Sequence, residues 1–407
     1  MARLRGFQKL TPIDEALQRF FDTLQVKKLK SVTVPLRSAL NRVLAEDIVA
    51  NKDLPRFDRS AVDGYAVEAE DTFEASPFNP KILRITDGEE VGERQAKHVW
   101  TGNAIPKGAD AVVMLENTKI ADDKIEVWVP ATPGKNVSKR GEDVPRGEVA
   151  VKSGTRLKPQ HLGLIAALTV TEVEVVDKPK IAVLATGTEL VEMGKETREN
   201  QIVEVNRLIL SSLCKELGVE PLDLGIAKDD VNEIVKKVKL GIEKADAVIT
   251  TGGTSVGISD MVSAAVNQIG GPGVIVHGVA MRPAMPTALA VADKTPVIIL
   301  SGNPVAAMIG FEVFAKPIIN RMLGLEETFK PAVKAKITRR ISTMLGRKTF
   351  IRVRVSRRDG EFYAEPVSTK GSSVISTVTR ANGYVIVPEN REGLEEDESV
   401  IVHLFNA

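Results

Sequence analysis

Short apolar segments alternate with longer segments of helical periodicity between residues 179 and 325. The apolar segments, which include "KIAVLATG", "ADAVITTGG" and "TPVIILSG", are typical of buried strands. Strands that alternate with helices predict a doubly wound parallel sheet covered by helices, so this part of the chain is expected to be an α/β domain. Ligands of such folds bind beyond the carboxyl ends of the strands. The loops "ATGTE", "TTGGTSVG" and "SGNP" are therefore expected to converge on one ligand site.

The loop between residues 248 and 261, "VITTGGTSVGISDM", combines glycines, hydroxyl residues and a carboxylate. Gly252, Gly253 and Gly257 have no Cβ, so they permit left-handed turns and a close approach of the backbone to a ligand. Exposed N–H groups between a strand and a helix suit a phosphate. Asp260 would repel that phosphate unless a divalent cation lay between them, which favours a magnesium-bridged phosphate. A plain helix cap explains Asp260 equally well at this point.

The length of 407 residues predicts two to four domains. Lys and Arg total 55 and Asp and Glu total 54, so the formal charge of +1 gives no sign of nucleic acid or a membrane as a partner. The first residues lack the apolar core of a signal peptide, and no apolar run is long enough to span a bilayer. We therefore expect a cytoplasmic protein.

The single cysteine, Cys214, has helical spacing with neighbouring leucines, which favours a core thiol over a nucleophile. The four histidines show none of the spacings of a zinc site.

The remaining segments predict three further parts of the chain. "TPIDEALQRFFDTLQ", "PLRSALNRVLAEDI" and "QHLGLIAALTV" have helical periodicity, whereas the chain between them is rich in turns and short strands. From about residue 330 the pattern is again that of strands, with Asp359–Gly360 as a hairpin turn. The expected domains are a discontinuous N-terminal domain (1–50 and 140–178), an inserted β-rich module (51–139), the α/β domain (179–327) and a small C-terminal β-barrel or sandwich (328–407).

Six motifs occur in a fixed order along the chain: "LPRFDRSAVDGYAV", "TGNAIPKGADAVVMLE", "RGEDV", "ATGTELV", "TTGGTSVGISD" and "LSGNPVAAM". In this the chain resembles the MoeA-like family, the molybdopterin molybdenumtransferases, to which the C-terminal domain of gephyrin is related. The resemblance implies the same four-part architecture, with a central domain like that of molybdopterin adenylyltransferases. It also implies a homodimer whose active cleft combines the α/β and C-terminal domains of one subunit with the inserted module of the other. Molybdopterin adenylyltransferase is a further expected partner, and neither nucleic acid nor a membrane is expected.

The activity that the resemblance implies is insertion of molybdate or tungstate into adenylylated molybdopterin, with magnesium-dependent release of AMP in cofactor biosynthesis. Two alternatives remain open: a non-catalytic paralogue or scaffold that binds the pterin or a protein partner, and a molybdopterin adenylyltransferase that acts one step earlier. A scaffold has no need for the carboxylates of the motifs. The inserted module and the C-terminal barrel argue against an adenylyltransferase.

The resemblance also assigns roles to individual residues. The expected catalytic residues are Asp63, Thr101, Asp143, Glu189, Asp230 and Asp260, of which Asp143 and Asp260 are also the expected magnesium ligands. The expected substrate-binding residues are Gly252, Gly253, Thr254, Ser255, Gly257, Arg282, Pro286, Asn303, Pro304, Arg352, Ser372 and Ser373.

Several of these residues also have purely structural interpretations. Asp63 precedes a glycine and reads as a hairpin turn. Asp143 can be interpreted as the cap of a loop, and Glu189 as a residue at the start of a helix. Asp230 forms a capping-box pattern with Glu233.

A basic stretch follows from Lys334 to Arg358, where Arg352 and Arg354 share one strand face by their period-two spacing. The chain departs from the family at "MRPAMP", because Met285 replaces a lysine that the family associates with the oxyanion. A desolvated oxyanion needs a cationic partner. Arg282 is therefore expected to compensate for the missing lysine, since an arginine can hold two oxygens at once.

Overall fold

The computed structural model describes residues 10–24, 29–253, 260–325, 331–367 and 373–405. The chain forms two compact units. The first unit contains residues 1–32, 41–43 and 176–407, and the second contains residues 33–40 and 44–175. Within the described residues, no helix is both long and apolar enough to cross a membrane.

The first unit contains most of the helices. They are Ile13–Thr23, Asn206–Glu216, Val231–Lys244, Met261–Ile269, Pro304–Gly310, Lys316–Met322 and Ser376–Thr379. A π-helical turn, Phe311–Ala315, joins the fifth and sixth of these. The first helix buries Ile13, Ala16 and Phe20, whose spacing places them on one apolar face.

A six-stranded sheet forms the centre of the first unit. Its strands lie in the order Glu220–Ala227, Lys180–Thr186, Ala247–Thr251, Thr295–Leu300, Ala288–Ala292 and Pro272–His277. The first four strands are parallel, but Ala288–Ala292 runs antiparallel to both of its neighbours. The prediction of a parallel sheet is therefore wrong for the strand Ala288–Ala292. The reason is local: Asp293 and Lys294, with φ of 46° and 66°, form a two-residue turn that folds the chain directly back into the next strand.

Helices cover both faces of this sheet, as a doubly wound domain requires. Successive residues of the strand Lys180–Thr186 point to opposite faces, so Ile181 joins one apolar core and Ala182 the other. The helices that contain Leu210 and Ile234 lie on these opposite sides. Cys214 is fully buried in the first core, and burial raises the pKa of its thiol to about 12. The prediction of a core thiol is confirmed.

The C-terminal part of the first unit is a closed ring of five strands. Around the ring the strands are Lys348–Arg358, Glu361–Pro366, Ala332–Ile337, Ser399–Leu404 and Gly383–Val387, and the last pairs with the first. Asp359 and Gly360, with φ of 49° and 86°, make the predicted two-residue hairpin turn. Met281–Arg282 adds a short parallel strand to the ring, alongside Lys348 and Thr349. The short strands Leu190–Val191, Ile202–Val203, Ile341–Ser342 and Gly393–Leu394 complete this unit.

The second unit is built around another six-stranded sheet. Its strands lie in the order Ala111–Met114, Gly64–Val67, Gln95–Val99, Lys81–Ile85, Lys124–Val127 and Thr118–Ala121. The same unit holds the helix Pro159–Ala167, the 3-10 turns Leu36–Ser38, Ala69–Thr72 and Leu115–Asn117, and the short strands Ile48–Val49, Arg59–Ser60, Val137–Ser138 and Val149–Val151. The strands Ser31–Pro35 and Glu172–Val176 lie where the chain passes between the units.

The prediction of a helix in "PLRSALNRVLAEDI" is wrong. Only the single 3-10 turn Leu36–Ser38 forms there. Asn41 adopts φ of +64°, which ends any helix. The backbone of Leu44 then forms a bridge with Val175. Pairing with a distant segment has overridden the local apolar periodicity.

Candidate active site

A cavity of about 650 Å³ lies beyond the carboxyl ends of the parallel strands of the central sheet. Thr186 and Thr251 end two of these strands, and Ser301 follows the third. The remaining lining residues come from the loops after these strands and from neighbouring segments: Ala185, Gly187, Glu189, Leu190, Ile202, Val203, Glu204, Val205, Asn206, Asp229, Gly252, Gly253, Met261, Pro286, Gly302, Asn303, Pro304 and Ser373. The described residues of the three loops that the sequence predicts to converge do line one cavity.

The glycines of the central loop are required by its geometry. Gly252 and Gly253 have φ of 91° and 62°, a region that other residues rarely adopt. A Cβ on Gly252 would lie 2.2 Å from the carbonyl oxygen of Thr186, and one on Gly253 would lie 2.6 Å from a methyl group of Val262. The lack of a side chain therefore lets the loop turn against its neighbours while its backbone faces the cavity. Thr254, Ser255, Gly257 and Ser372 lie outside the described residues.

Asn206 ties two of the cavity loops together. Its Nδ2 donates hydrogen bonds of 2.8 Å to Thr251 Oγ1 and to the carbonyl oxygen of Gly302. The hydroxyl of Thr251 in turn donates to the carbonyl oxygen of Ser301 at 3.1 Å. Asn206 is not among the predicted site residues. Asn206 could have been predicted as a site residue, because it begins the helix Asn206–Glu216 opposite the end of a strand.

An ion cluster around the buried side chain of Arg207 supports this wall of the cavity. The guanidinium of Arg207 contacts Glu192, Glu204 and Asp223. Burial by itself would lower the pKa of Arg207, but the hydrogen bonds to Asp223 and Glu192 outweigh it and raise that pKa. Glu204 also accepts the backbone N–H of Asn206 at 2.6 Å. This cluster therefore fixes the segment that carries Asn206.

Two of the predicted acids, Glu189 and Asp230, have different positions. Glu189 lines the cavity. Asp230 does not: its Oδ1 accepts the N–H of Glu233 at 2.8 Å, so it caps the helix Val231–Lys244 as its structural interpretation required. The neighbouring Asp229, which was not predicted, lines the cavity and accepts the N–H of Thr188 at 3.0 Å.

Asp260 is nearly buried, and both of its oxygens have protein contacts. Oδ1 accepts the N–H of Ser263 at 3.0 Å, which caps the helix Met261–Ile269. Oδ2 lies 2.7 Å from Nε2 of His277. Asp260 is not among the residues that line the cavity, although its neighbour Met261 is.

A second cavity of about 350 Å³ adjoins the first and shares Pro286, Ser301 and Asn303 with it. It differs in charge, because its ionisable lining residues are Arg282, Arg347 and Arg352. The other lining residues are Met281, Pro283, Ala284, Met285, Ala306, Thr349, Phe350 and Ile351.

The two arginines that share a strand face in the sequence have different surroundings. Arg352 is 5% exposed, whereas Arg354 is exposed and does not line this cavity. Burial and, to a smaller extent, the nearby charge of Arg282 lower the pKa of Arg352. An anion bound beside Arg282 and Arg352 would relieve this repulsion.

The second unit carries the other predicted acids. Asp63 Oδ1 accepts hydrogen bonds from the N–H and the hydroxyl of Thr101, at 2.7 and 2.6 Å. These hydrogen bonds hold the pKa of Asp63 below its ordinary value. Asp143 is exposed, and its N–H donates to the carbonyl oxygen of Leu54 at 3.0 Å.

The hairpin-turn interpretation of Asp63 and Gly64 is wrong. Gly64 begins a strand that pairs on both sides, with Val99 and with Met114. A Cβ on Gly64 would lie 2.0 Å from the carbonyl oxygen of Val113. A glycine is needed here because the strands pack closely, and not because the chain turns.

The smaller cavity has the chemistry of an anion site, whereas the larger one combines glycine backbone with the acids Glu189, Glu204 and Asp229. Gly252 and Gly253 expose backbone in one cavity, and arginines offer charge-assisted hydrogen bonds in the other. The described residues contain no group of three or more His, Cys, Asp or Glu side chains that could hold a metal ion by themselves. A divalent cation here would therefore need oxygen ligands from a substrate.

Known proteins match nearly the whole chain. The family models that match are "MoeA N-terminal region (domain I and II)" over residues 11–169, "Probable molybdopterin binding domain" over 182–321 and "MoeA C-terminal region (domain IV)" over 334–405. The molybdopterin molybdenumtransferase of Bacillus subtilis is 36% identical over 406 residues, covering 97% of this chain and 94% of that protein. A Methanocaldococcus jannaschii protein named for molybdopterin biosynthesis is 37% identical and covers 99% of this chain and 100% of its own length. The crystal structure of the molybdopterin biosynthesis moeA protein from Pyrococcus horikoshii matches with a TM-score of 0.83 at 36% identity, over 98% of this chain and 100% of that one.

Proposed function

The chain belongs to the MoeA family, and we propose that it is a molybdopterin molybdenumtransferase, a transferase of molybdenum cofactor biosynthesis. In this proposal it inserts molybdate or tungstate into the dithiolene of adenylylated molybdopterin and releases AMP. The observation that carries the proposal is the pair of joined cavities, one lined by glycines and acids and the other by arginines.

The two cavities suit the two substrates. The larger one offers the backbone of Gly253 to the phosphates of the adenylylated pterin, whereas the N–H of Gly252 already donates to the carbonyl oxygen of Leu300 at 3.1 Å. The smaller one offers Arg282, Arg347 and Arg352 to a tetrahedral oxyanion. Because Pro286, Ser301 and Asn303 belong to both, an oxyanion in the smaller cavity would lie next to a ligand in the larger one.

Met285 lines the smaller cavity but carries no charge. The electropositive character of this cavity therefore depends on its three arginines. Arg282 is exposed, Arg347 is half-buried and Arg352 is buried, so Arg282 is the most accessible of the three to an arriving anion. We propose that Arg282 captures the oxyanion and that Arg352 holds it.

Magnesium is part of the proposal, and the donors at the cavity fit it. Mg²⁺ is usually held by one or two carboxylates together with substrate phosphates, and Glu189 and Asp229 both line the larger cavity. A cation there would neutralise the phosphate charge beside these acids. Asp260 can join this site only if it exchanges its contacts with Ser263 and His277. Asp143 belongs to the second unit and stays a proposed ligand.

We further propose a homodimer in which Asp63, Thr101 and Asp143 of one subunit act at the cavities of the other. The supporting observation is that Asp63 and Thr101 form an exposed, hydrogen-bonded pair in the second unit, whereas the cavities belong to the first. A transient complex with molybdopterin adenylyltransferase would supply the adenylylated substrate.

The direct test is product analysis. The protein is incubated with adenylylated molybdopterin, Mg²⁺ and molybdate, and AMP and metal-loaded pterin are measured. Release of both in equal amounts is the expected result. AMP without metal insertion, or neither product, would count against the proposal. Formation of adenylylated molybdopterin from molybdopterin and ATP would instead show an adenylyltransferase.

A further inference from the structure

Trp100 is an exposed aromatic residue held in a fixed orientation. The residue is 56% exposed, and its ring meets the ring of His98 edge to face, with centroids 4.5 Å apart and an interplanar angle of 81°. His98 meets Tyr65 in the same way, at 5.3 Å and 78°. Tyr65 is 2% exposed and belongs to the core of the second unit. We call Tyr65, His98 and Trp100 the aromatic row.

The backbone at Trp100 is held as firmly as its ring. The N–H of Trp100 donates to Asn103 Oδ1, and the N–H of Asn103 donates to the carbonyl oxygen of Trp100, both at 2.9 Å. The next turn is fixed by a hydrogen bond of 2.8 Å from the N–H of Gly102 to the carbonyl oxygen of Ser60. A ligand that stacks on Trp100 would therefore lose little free energy in ordering the protein.

A polar acceptor lies beside the aromatic row. Thr101 follows Trp100 directly, and both of its hydrogen bonds to Asp63 reach Oδ1. Across the part of the chain that the structure describes, Oδ2 of Asp63 accepts no hydrogen bond from the protein. The low pKa of Asp63 keeps this oxygen ionised at neutral pH.

We propose that Trp100 is a binding residue that stacks a flat nitrogen heterocycle of the substrate, while Asp63 Oδ2 accepts a hydrogen bond from an N–H group at the edge of that ring. This inference rests on the proposed function, whose substrate contains two such rings, adenine and the pterin. Both have an aromatic face and N–H donors at the edge, which is the chemistry that an indole ring and a carboxylate recognise. Trp100 would thereby bring the ring next to the Asp63–Thr101 pair.

The competing explanation is that Trp100 is covered by a second copy of the chain, because exposed tryptophans are also frequent at protein interfaces. The two explanations predict different effects of Trp100→Ala. Loss of a stacking residue weakens ligand binding and leaves the oligomeric state unchanged. Loss of an interface residue shifts the oligomeric state.

Fluorescence can report on Trp100 alone, because the chain has two tryptophans and the other is Trp128. In the Trp128→Phe variant, titration with AMP should change the emission of Trp100 if adenine is the stacked ring. A pterin monophosphate is tested by calorimetry, since pterins themselves fluoresce. Binding by only one of these probes identifies which ring stacks.

Calorimetry on the otherwise native chain provides the variant test. Trp100→Ala should weaken binding of that probe by about tenfold to a hundredfold, whereas Trp100→Phe should retain most of the affinity. Phe78→Ala is the matched control, because Phe78 is a fully exposed aromatic residue of the same unit and should have no effect. Equal affinities for wild type and Trp100→Ala, or a shift of Trp100→Ala toward monomer in sedimentation, would overturn the inference. These binding measurements need no turnover, so a failed insertion assay is distinguished from a failed stacking site.

Discussion

Oδ2 of Asp260 lies 2.7 Å from Nε2 of His277, at the start of the helix Met261–Ile269. The two atoms are buried and in close contact. Oδ1 of the same carboxylate caps the helix through Ser263. The helix-cap interpretation of Asp260 therefore holds for one oxygen, and a catalytic role would have to use the other.

Asp260→Asn separates these two roles. Asparagine caps helices as well as aspartate does, so the thermal unfolding midpoint should stay close to that of wild type. The rate of AMP release should fall by about a hundredfold if the negative charge acts on the substrate or its cation. Normal turnover would mean that Asp260 serves only as a helix cap. A large fall in the midpoint would mean that its main role is in folding.

Removal of divalent cations should abolish AMP release. A pyrophosphate cannot share a cavity with Glu189 and Asp229 unless a cation offsets their repulsion. The measurement is AMP release in excess EDTA, followed by restoration with Mg²⁺. The double variant Glu189→Gln, Asp229→Asn should need a higher Mg²⁺ concentration for half-maximal rate. Full activity in EDTA would contradict the proposed role of the cation.

Gly252→Ala should destabilise the first unit and abolish ligand binding. The new methyl group would lie 2.2 Å from the carbonyl oxygen of Thr186, and a side chain at φ of 91° is strained in any case. We expect a loss of about 2–4 kcal/mol in the free energy of unfolding. Gly324→Ala is the control, because Gly324 has φ of 68° but open space around it, and should cost about 1 kcal/mol. An equal loss of stability in the two variants would show that the structure easily relieves the contact with Thr186.

Arg282→Ala should raise the molybdate or tungstate concentration needed for half-maximal insertion by about tenfold or more, with little effect on binding of the adenylylated pterin. Arg354→Ala is the matched control, since Arg354 lies on a neighbouring strand but outside the cavity. Met285→Lys should lower the oxyanion concentration required. If wild type is inactive and Met285→Lys alone restores insertion, then Arg282 does not compensate for the lysine and the chain has lost its oxyanion chemistry.

The proposed intersubunit site predicts complementation between two inactive variants. Asp63→Ala and Asp260→Ala homodimers should each be inactive. After subunit exchange, half of the dimers combine both chains and each has one intact site, so about a quarter of wild-type activity should return. Exchange is checked by mass spectrometry of differently tagged chains. No recovery despite proven exchange would place both residues in the site of a single subunit.

The sequence by itself determined the elements whose signals are local. The apolar run ending at Thr186, the turn at Asp359–Gly360 and the cap at Asp230 follow from side-chain periodicity and turn chemistry among neighbouring residues. The glycines at 252 and 253 belong here too, because positive φ is a property of the backbone itself. The larger cavity was predictable to the same extent, since strand ends of a parallel sheet converge on one edge.

Tertiary structure alone decided what depends on partners distant in the chain. Leu44 bridges Val175 instead of continuing a helix, because pairing with a distant segment outweighs a weak helical preference. Asp229 lines the cavity, whereas the side chain of Asp230 caps the helix Val231–Lys244 and is directed toward that helix. Ile351 and Val353 fill the barrel core, so Arg352 and Arg354 both point away from it, and only Arg352 is buried because it lines the smaller cavity. A periodicity of two residues shows that two side chains share a face, but only the packing of the whole chain determines what covers that face.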